Sequence, residues 1–175
     1  MLQKRAGLIK FAGKDATVIG SDVLPGQKAP EFTVQALDWS VFKGINRTRG
    51  KVRIICSLPS LSTSVCDRET RRFNQEAANL SEDIVVMAIS TDLPFTQKNW
   101  CAAAGIDKVV VLSDHLRCIF GTGYGLLIKE GRILRRAVFV VNRRGIVVYA
   151  AYMSSLGEEP NYPEVLEAAR QALEE

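Results

Sequence analysis

The stretch Val52-Arg53-Ile54-Ile55-Cys56-Ser57-Leu58, followed by Pro59-Ser60-Leu61-Ser62-Thr63-Ser64-Val65-Cys66 and then by Arg68 to Leu80, decides the fold. Its first part is β-branched and nearly continuous in apolar character, the pattern of a strand covered on both faces. Its last part places Phe73, Ala77 and Leu80 at i, i+4 and i+7, which predicts a helix. The polar, proline-started segment between them puts Cys66 at or just inside that helix's start. The N–H groups of a first helical turn have no intrahelical partner, and the helix dipole adds partial positive charge beside them, so a thiolate is favoured there. This is one recognised route to a reactive cysteine.

Outward from this unit, strand and helix patterns alternate. Downstream, Ile84 to Ile89 reads as a second buried strand, and Ser90-Thr91-Asp92-Leu93-Pro94 signals the start of a helix over about Phe95 to Ala104 that closes at Gly105. Val109 to Leu112 is a third strand. Asp114 is expected to begin a short helix through Phe120, with Gly121 to Gly125 as a glycine-rich turn. Arg135 to Val141 and Ile146 to Tyr152 form two strands joined by Asn142-Arg143-Arg144-Gly145, a tight hairpin. A last helix starts at Asn161, with Pro163 at its first position and Val165, Leu166, Ala169 and Leu173 as its apolar stripe. Upstream, Leu8 to Phe11 and Ala16 to Ile19 predict an N-terminal hairpin that decorates the sheet edge. Phe32 to Leu37 reads as a half-exposed strand and Ser40 to Lys51 as a connection. Such alternation predicts an α/β, thioredoxin-like fold: a mixed central sheet flanked by helices, with the N-terminal β-hairpin. There is no Cys-x-x-Cys, which disfavours a dithiol oxidoreductase of the thioredoxin kind.

The chain has 175 residues, 47% hydrophobic and 24% charged, enough for one full core and too short for two ordinary domains. A single domain over 1–175 is expected, with 1–22 as the hairpin extension. The net charge is +4, but the basic pairs Arg71-Arg72, Arg135-Arg136 and Arg143-Arg144 are scattered, so no nucleic-acid partner is expected. Lys10, Lys14 and Asp15 interrupt any apolar leader, and no stretch reads as a membrane span, which makes the cytoplasm the simplest location. Four cysteines, Cys56, Cys66, Cys101 and Cys118, are too sparse for a disulfide scaffold. Cys56 shares a strand face with Val52 and Ile54 and reads as packing, as does Cys118. His115, the one histidine, reads as a surface residue beside a helix start.

The stretch Pro59 to Cys66 fits the Pro-x-x-x-Thr-x-x-Cys signature of peroxiredoxins. Ile89-Ser90-Thr91-Asp92-Leu93-Pro94-Phe95, Trp100-Cys101-Ala102-Ala103-Ala104-Gly105-Ile106 and Arg136-Ala137-Val138-Phe139-Val140 resemble the thiol peroxidase subfamily, the bacterial atypical two-cysteine peroxiredoxins. The similarity runs from about Gly26 to Leu173 and includes Glu159-Pro160-Asn161-Tyr162. The resemblance implies that Cys66 is the peroxidatic cysteine, Pro59 and Thr63 its neighbours in the site, Arg136 the active-site arginine and Cys101 the resolving cysteine. It departs at Leu58, where an aromatic residue is common, in the basic segment Asn46 to Arg49, and in Cys56 and Cys118, which match no family role.

These residue types suit the chemistry. Cleaving an O–O bond needs a nucleophile that can carry one oxygen away, which a thiolate does as sulfenic acid. Arg136 stays protonated and offers several donors to the thiolate and the peroxide. Thr63 can place its hydroxyl in the pocket or cap the helix, and Pro59 excludes water without presenting an N–H. A disulfide needs Cα atoms within about 7 Å, so resolution by Cys101, one strand and one helix away, is expected to require local unwinding. The resemblance implies hydrogen peroxide or an organic hydroperoxide as substrate, thioredoxin as reductant and a homodimer, with no cofactor and no metal. The competing reading is a peroxide-sensing relay that uses the same cysteines without efficient turnover. A structural metal site on Cys66, Cys101, Cys118 and His115 lacks any ligand-pair spacing.

Overall fold

The computed structural model describes residues 2–175, and its strands and helices follow one another as β1 (Lys4–Phe11), β2 (Lys14–Ile19), β3 (Thr33–Gln35), β4 (Val41–Lys43), α1 (Gly44–Arg47), β5 (Val52–Ser57), α2 (Ser64–Ala77), β6 (Ile84–Ser90), α3 (Pro94–Ala104), β7 (Val110–Ser113), α4 (Ile119–Gly123), β8 (Leu127–Ile128), β9 (Ile133–Leu134), β10 (Ala137–Val141), β11 (Val147–Tyr152) and α5 (Tyr162–Glu174). Seven strands form the central sheet in the order β11-β10-β5-β6-β7-β3-β4. β5, β6 and β7 are parallel, and β10 runs antiparallel to β5 with Ala137 opposite Ser57 and Val141 opposite Arg53. The sheet is therefore mixed, as the alternation of elements required.

All six residues of β5 are buried, which accounts for its unbroken apolar pattern. One face packs Val52, Ile54, Cys56, Val86, Val138 and Val140 against Phe73 of α2, Cys101 of α3 and Val165, Leu166, Ala169 and Ala172 of α5. The opposite face packs Ile55, Met87, Leu112 and Phe139 against Phe32, Phe120 and Tyr124. Helix α5 carries a side-chain cap: Asn161 Oδ1 accepts from the Glu164 N–H at 3.3 Å. Pro163 is its second residue, and Ala172 rather than Leu173 completes the buried stripe.

Several expectations need correction. The N-terminal hairpin does not extend the central sheet; it pairs through Val18 and Ile19 with β8 and builds a separate four-stranded sheet, β1-β2-β8-β9. Its register breaks between Ala6 and Lys10, where Gly7 takes φ +76°, a conformation open to glycine. The strands β8 and β9, two residues each, are too short to leave a period in the sequence. Ser40 to Lys51 is not a bare connection, since it holds β4 and α1; Glu31 accepts from the N–H groups of Ile45 and Asn46 and starts that helix. The helix expected from Asp114 lies later, at Ile119–Gly123. Asp114 caps it from a distance, its two carboxylate oxygens accepting from Phe120 N–H and Gly121 N–H, while Cys118 at φ +49° breaks any earlier turn. Helix α2 begins sooner than its apolar stripe suggests, at Ser64, and ends before Leu80.

Candidate active site

The carboxyl ends of β5 and β6 meet where the Pro59–Cys66 segment leaves the sheet. Leu58 N–H donates to the Ile89 carbonyl at 2.9 Å, extending the parallel ladder by one residue before Pro59 turns the chain. The loop is then tied to the β6–α3 corner by Asp92. Ser60 Oγ donates to Asp92 Oδ1 at 2.7 Å, Leu61 N–H donates to Oδ2 at 2.8 Å, and Ser90 Oγ donates to the same oxygen at 2.7 Å. The Asp92 carboxylate thus holds the loop that leads into α2 and does not cap α3, whose N-cap residue Leu93 makes no side-chain cap bond.

Cys66 is the third residue of α2 and fully buried. Its sulfur accepts a hydrogen bond from Arg136 Nη2 at 3.1 Å. Arg136, also fully buried, stands just before β10 and is held from three sides. Nη1 meets Glu69 Oε2 at 2.5 Å, and Nε and Nη2 donate to the Leu156 carbonyl at 3.2 and 2.9 Å. Burial works against the Arg136 charge, yet the Glu69 carboxylate and the Cys66 sulfur outweigh it and leave the guanidinium more firmly protonated than usual. Glu69 is buried as well; burial pushes its carboxyl up to about 7, with Arg136 pulling the other way.

Pro59 is buried and Thr63 exposed, and both line an apolar pocket of about 340 Å³ at the start of α2, with Phe11, Val65, Ile133 and Leu156, while Cys66 and Arg136 are buried outside its lining. Thr63 occupies the N-cap position but makes no side-chain cap bond. Its hydroxyl donates to the Ser60 carbonyl at 2.9 Å, so the oxygen lone pairs remain for the pocket. Cys101 lies apart from this group, on α3, with its side chain in the same apolar cluster as Cys66 and 7% exposed. Burial raises its thiol to about 11, so at neutral pH it is a thiol and a poor nucleophile where it stands. Both sulfurs are free.

Cys56 is buried on the sheet face behind α2, where burial first and then the Glu69 charge hold its thiol well above the ordinary range. Cys118 is buried on the other face and its sulfur accepts from Arg132 Nη2 at 3.3 Å. His115 is half-buried rather than free at the surface. Its Nδ1 lies 2.8 Å from Ser113 Oγ and its ring meets Trp39 edge-on at 5.3 Å. Among the described residues no group of three or more His, Cys, Asp or Glu side chains is placed to hold a metal.

Sequence reasoning missed Glu69, the Leu156 carbonyl, Phe11 and Ile133. Glu69 had a signal: it follows Cys66 by three and precedes Phe73 by four, so it shares the buried face of α2. The other three reach the site through tertiary packing and a backbone oxygen.

The geometry can be set against known proteins. The AhpC/TSA family profile matches residues 25–150. A thiol peroxidase of Halalkalibacterium halodurans is 47% identical, covering 94% of this chain and 98% of its own. One from Bacillus subtilis is 49% identical over 93% and 96%. Among solved structures, a peroxiredoxin-like protein from Aquifex aeolicus superposes with a TM-score of 0.84 at 35% identity, covering 98% of both chains. A thiol peroxidase from Chromobacterium violaceum reaches 0.80 at 18% identity, over 95% and 97%, which speaks for the fold.

Proposed function

The chain belongs to the AhpC/TSA family and is a thiol-dependent peroxidase, and from that premise we propose how its residues divide the work. Cys66 attacks a hydroperoxide. Its sulfur takes the nearer oxygen, the O–O bond breaks, and the peroxide's own proton ends on the departing oxygen as water or alcohol, leaving a sulfenate on Cys66. Arg136 stabilises the thiolate and offers donors to the peroxide oxygens as charge moves along the O–O axis. Glu69 and the Leu156 carbonyl aim Arg136, Thr63 supplies a hydroxyl at the pocket wall, and Pro59 keeps water away from the sulfur. Cys101 then displaces the oxygen from protonated Cys66–SOH, an S–S bond forms and water leaves. A thioredoxin dithiol reduces the disulfide and returns both thiols.

The observation that carries this reading is the 3.1 Å contact of Arg136 Nη2 with Cys66 Sγ in the first turn of α2. The apolar pocket lined by Phe11, Val65, Ile133 and Leu156 favours alkyl hydroperoxides beside hydrogen peroxide. The test is peroxide consumption coupled to thioredoxin and thioredoxin reductase. Cys66→Ser should abolish it, and undiminished turnover in that variant would overturn the assignment.

The 175 residues work as one thioredoxin-like domain with its hairpin extension, and the active form is a homodimer. An exposed apolar patch supports the dimer. Phe95 is 65% exposed, its ring lies 4.9 Å from that of Trp39, Leu93 stands exposed two residues before it, and the exposed Leu116 follows His115, whose ring also meets Trp39. Patches of this kind on a soluble protein mark interaction surfaces. Sedimentation of the wild type against Phe95→Glu tests this. No helix among the described residues is long and apolar enough to cross a membrane; the proposed cycle, which needs a thiol reductant at each turnover, suits the cytoplasm, where thiols are kept reduced.

A further inference from the structure

Helices α2 and α3 are joined along a seam of hydrogen bonds that keeps one register. Trp100 Nε1 donates to Asp67 Oδ1 at 3.2 Å, Arg71 Nη1 donates to the Ala104 carbonyl at 3.1 Å, and Asn74 Oδ1 accepts from the N–H groups of Asp107, Lys108 and Val109 at 3.2, 2.8 and 3.3 Å. The first of these bonds is closed into a ring. Arg71 Nε donates to the other carboxylate oxygen of Asp67 at 2.9 Å, and its guanidinium carbon lies 5.9 Å from the Trp100 ring centre. Asp67, Arg71 and Trp100 therefore clasp the amino end of α2 to the middle of α3.

The clasp sits one residue from each sulfur, since Asp67 follows Cys66 and Trp100 precedes Cys101. Consecutive helical residues point about 100° apart. The half-buried Asp67 and Trp100 thus meet near the surface, while the two sulfurs are buried beneath them. Bringing Cys66 and Cys101 to disulfide distance requires their Cα atoms to come within about 7 Å, with local loss of helix. Residues 67 and 100 move with their neighbours, so the clasp must open. Asn74 and its three N–H donors lie further along, the donors in the loop between α3 and β7, and can hold α2 to the start of β7 meanwhile.

We propose that Asp67, Arg71 and Trp100 are positioning residues that set how fast Cys66 and Cys101 come together, and thereby how much peroxide Cys66 withstands before over-oxidation. The proposal rests on the reading that Cys101 resolves Cys66. Two reactions compete for the sulfenate once it forms. In one, Cys101 attacks sulfur, the S–O bond breaks and water leaves. In the other, a second hydroperoxide transfers an oxygen, its O–O bond breaks, an alcohol or water leaves and sulfur ends as sulfinate. A tighter clasp favours the second by delaying the first. It also keeps Cys66 on a formed helix beside Arg136 for the initial attack, so the same contacts that favour reactivity with the first peroxide expose the sulfur to the next.

Trp100→Phe keeps an aromatic ring for Arg71 to pack on but removes the N–H donor. A hydrogen bond to a carboxylate at a half-exposed site is worth a factor on the order of five in an equilibrium. One equivalent of peroxide, followed by acid quench and mass spectrometry, should show the Cys66–Cys101 disulfide forming about fivefold faster than in the wild type. The peroxide concentration that converts half of Cys66 to sulfinate during turnover should rise by a similar factor, with sulfenate formation no faster than in the wild type. Asp67→Asn, which retains an acceptor oxygen but loses the charge, should fall between the two. Equal disulfide rates and equal sulfinate thresholds in all three proteins would overturn the clasp. Absence of a Cys66–Cys101 disulfide in the wild type would instead overturn the resolving assignment, and the clasp with it.

Discussion

Two arginines, Arg53 and Arg136, are buried at opposite ends of the same strand pair, Arg53 at the start of β5 and Arg136 just before β10. Arg53 gives its donors to neutral oxygens: Thr48 Oγ1 at 2.8 Å and the carbonyls of Asn142, Thr48 and Ile45 at 2.8, 2.7 and 3.1 Å. With no carboxylate bound to it, burial leaves its guanidinium easier to deprotonate than usual. Arg136 faces a carboxylate and a sulfur and is shifted the opposite way. Burial is common to both, so burial alone does not mark a catalytic arginine. The difference lies in the acceptors: carbonyls consume donors and brace the chain, whereas a sulfur that bonds to oxygen, as proposed for Cys66, leaves a donor whose partner changes during reaction.

The contrast breaks if both arginines behave alike on substitution. Arg136→Met should slow sulfenate formation by about a hundredfold or more, the usual effect of removing one charge-stabilising donor, while Arg53→Met leaves the rate per folded molecule unchanged. Stopped-flow kinetics with a single equivalent of peroxide reads both. Arg53→Met should instead lose about 3 kcal/mol of folding stability in urea titrations, since it strands buried carbonyls without donors. Glu69→Gln sharpens the comparison through pH. The folded Glu69 carboxyl titrates at about 7 against 4.5 for the free side chain, so the stability it contributes is fully present below pH 4.5 and is lost as pH rises through 7. Urea titrations at pH 5 and pH 8 should therefore differ less in Glu69→Gln than in the wild type, by on the order of 1 kcal/mol. The smallest effect is expected at the pocket mouth. Phe11→Ala should lower kcat/KM for a bulky alkyl hydroperoxide by about fivefold and leave hydrogen peroxide unaffected, as lost apolar contact predicts.

Much of this was written in the chain in readable form. β5 and β6 are apolar on both faces because both faces are covered, and Gly105 closes α3 in the left-handed conformation its position suggested. The contact between Cys66 and Arg136 was legible only through resemblance, since nothing local relates residues so far apart. Glu69 was overlooked because it stands in the charged run Asp67 to Arg72, where one buried acid looks like its solvated neighbours. The Leu156 carbonyl has no side-chain signature at all. The small sheet escaped for a different reason: Leu127–Ile128 and Ile133–Leu134 are shorter than one period of any pattern, and their pairing depends on a hairpin more than a hundred residues earlier.

That hairpin also bears on how the protein behaves when concentrated. β1 is the outer strand of its sheet, with β2 as its one neighbour among the described residues, and an open edge of backbone donors and acceptors can template strand addition by another molecule. Its sequence, Lys4-Arg5-Ala6-Gly7-Leu8-Ile9-Lys10-Phe11, places two exposed cations, Lys4 and Lys10, along that edge, Arg5 being paired with Asp22, and breaks the register at Gly7. Like charges would be brought together by any stacked copy, and the kink denies it a straight ladder, so the strand that helps wall the apolar pocket also opposes fibrous aggregation.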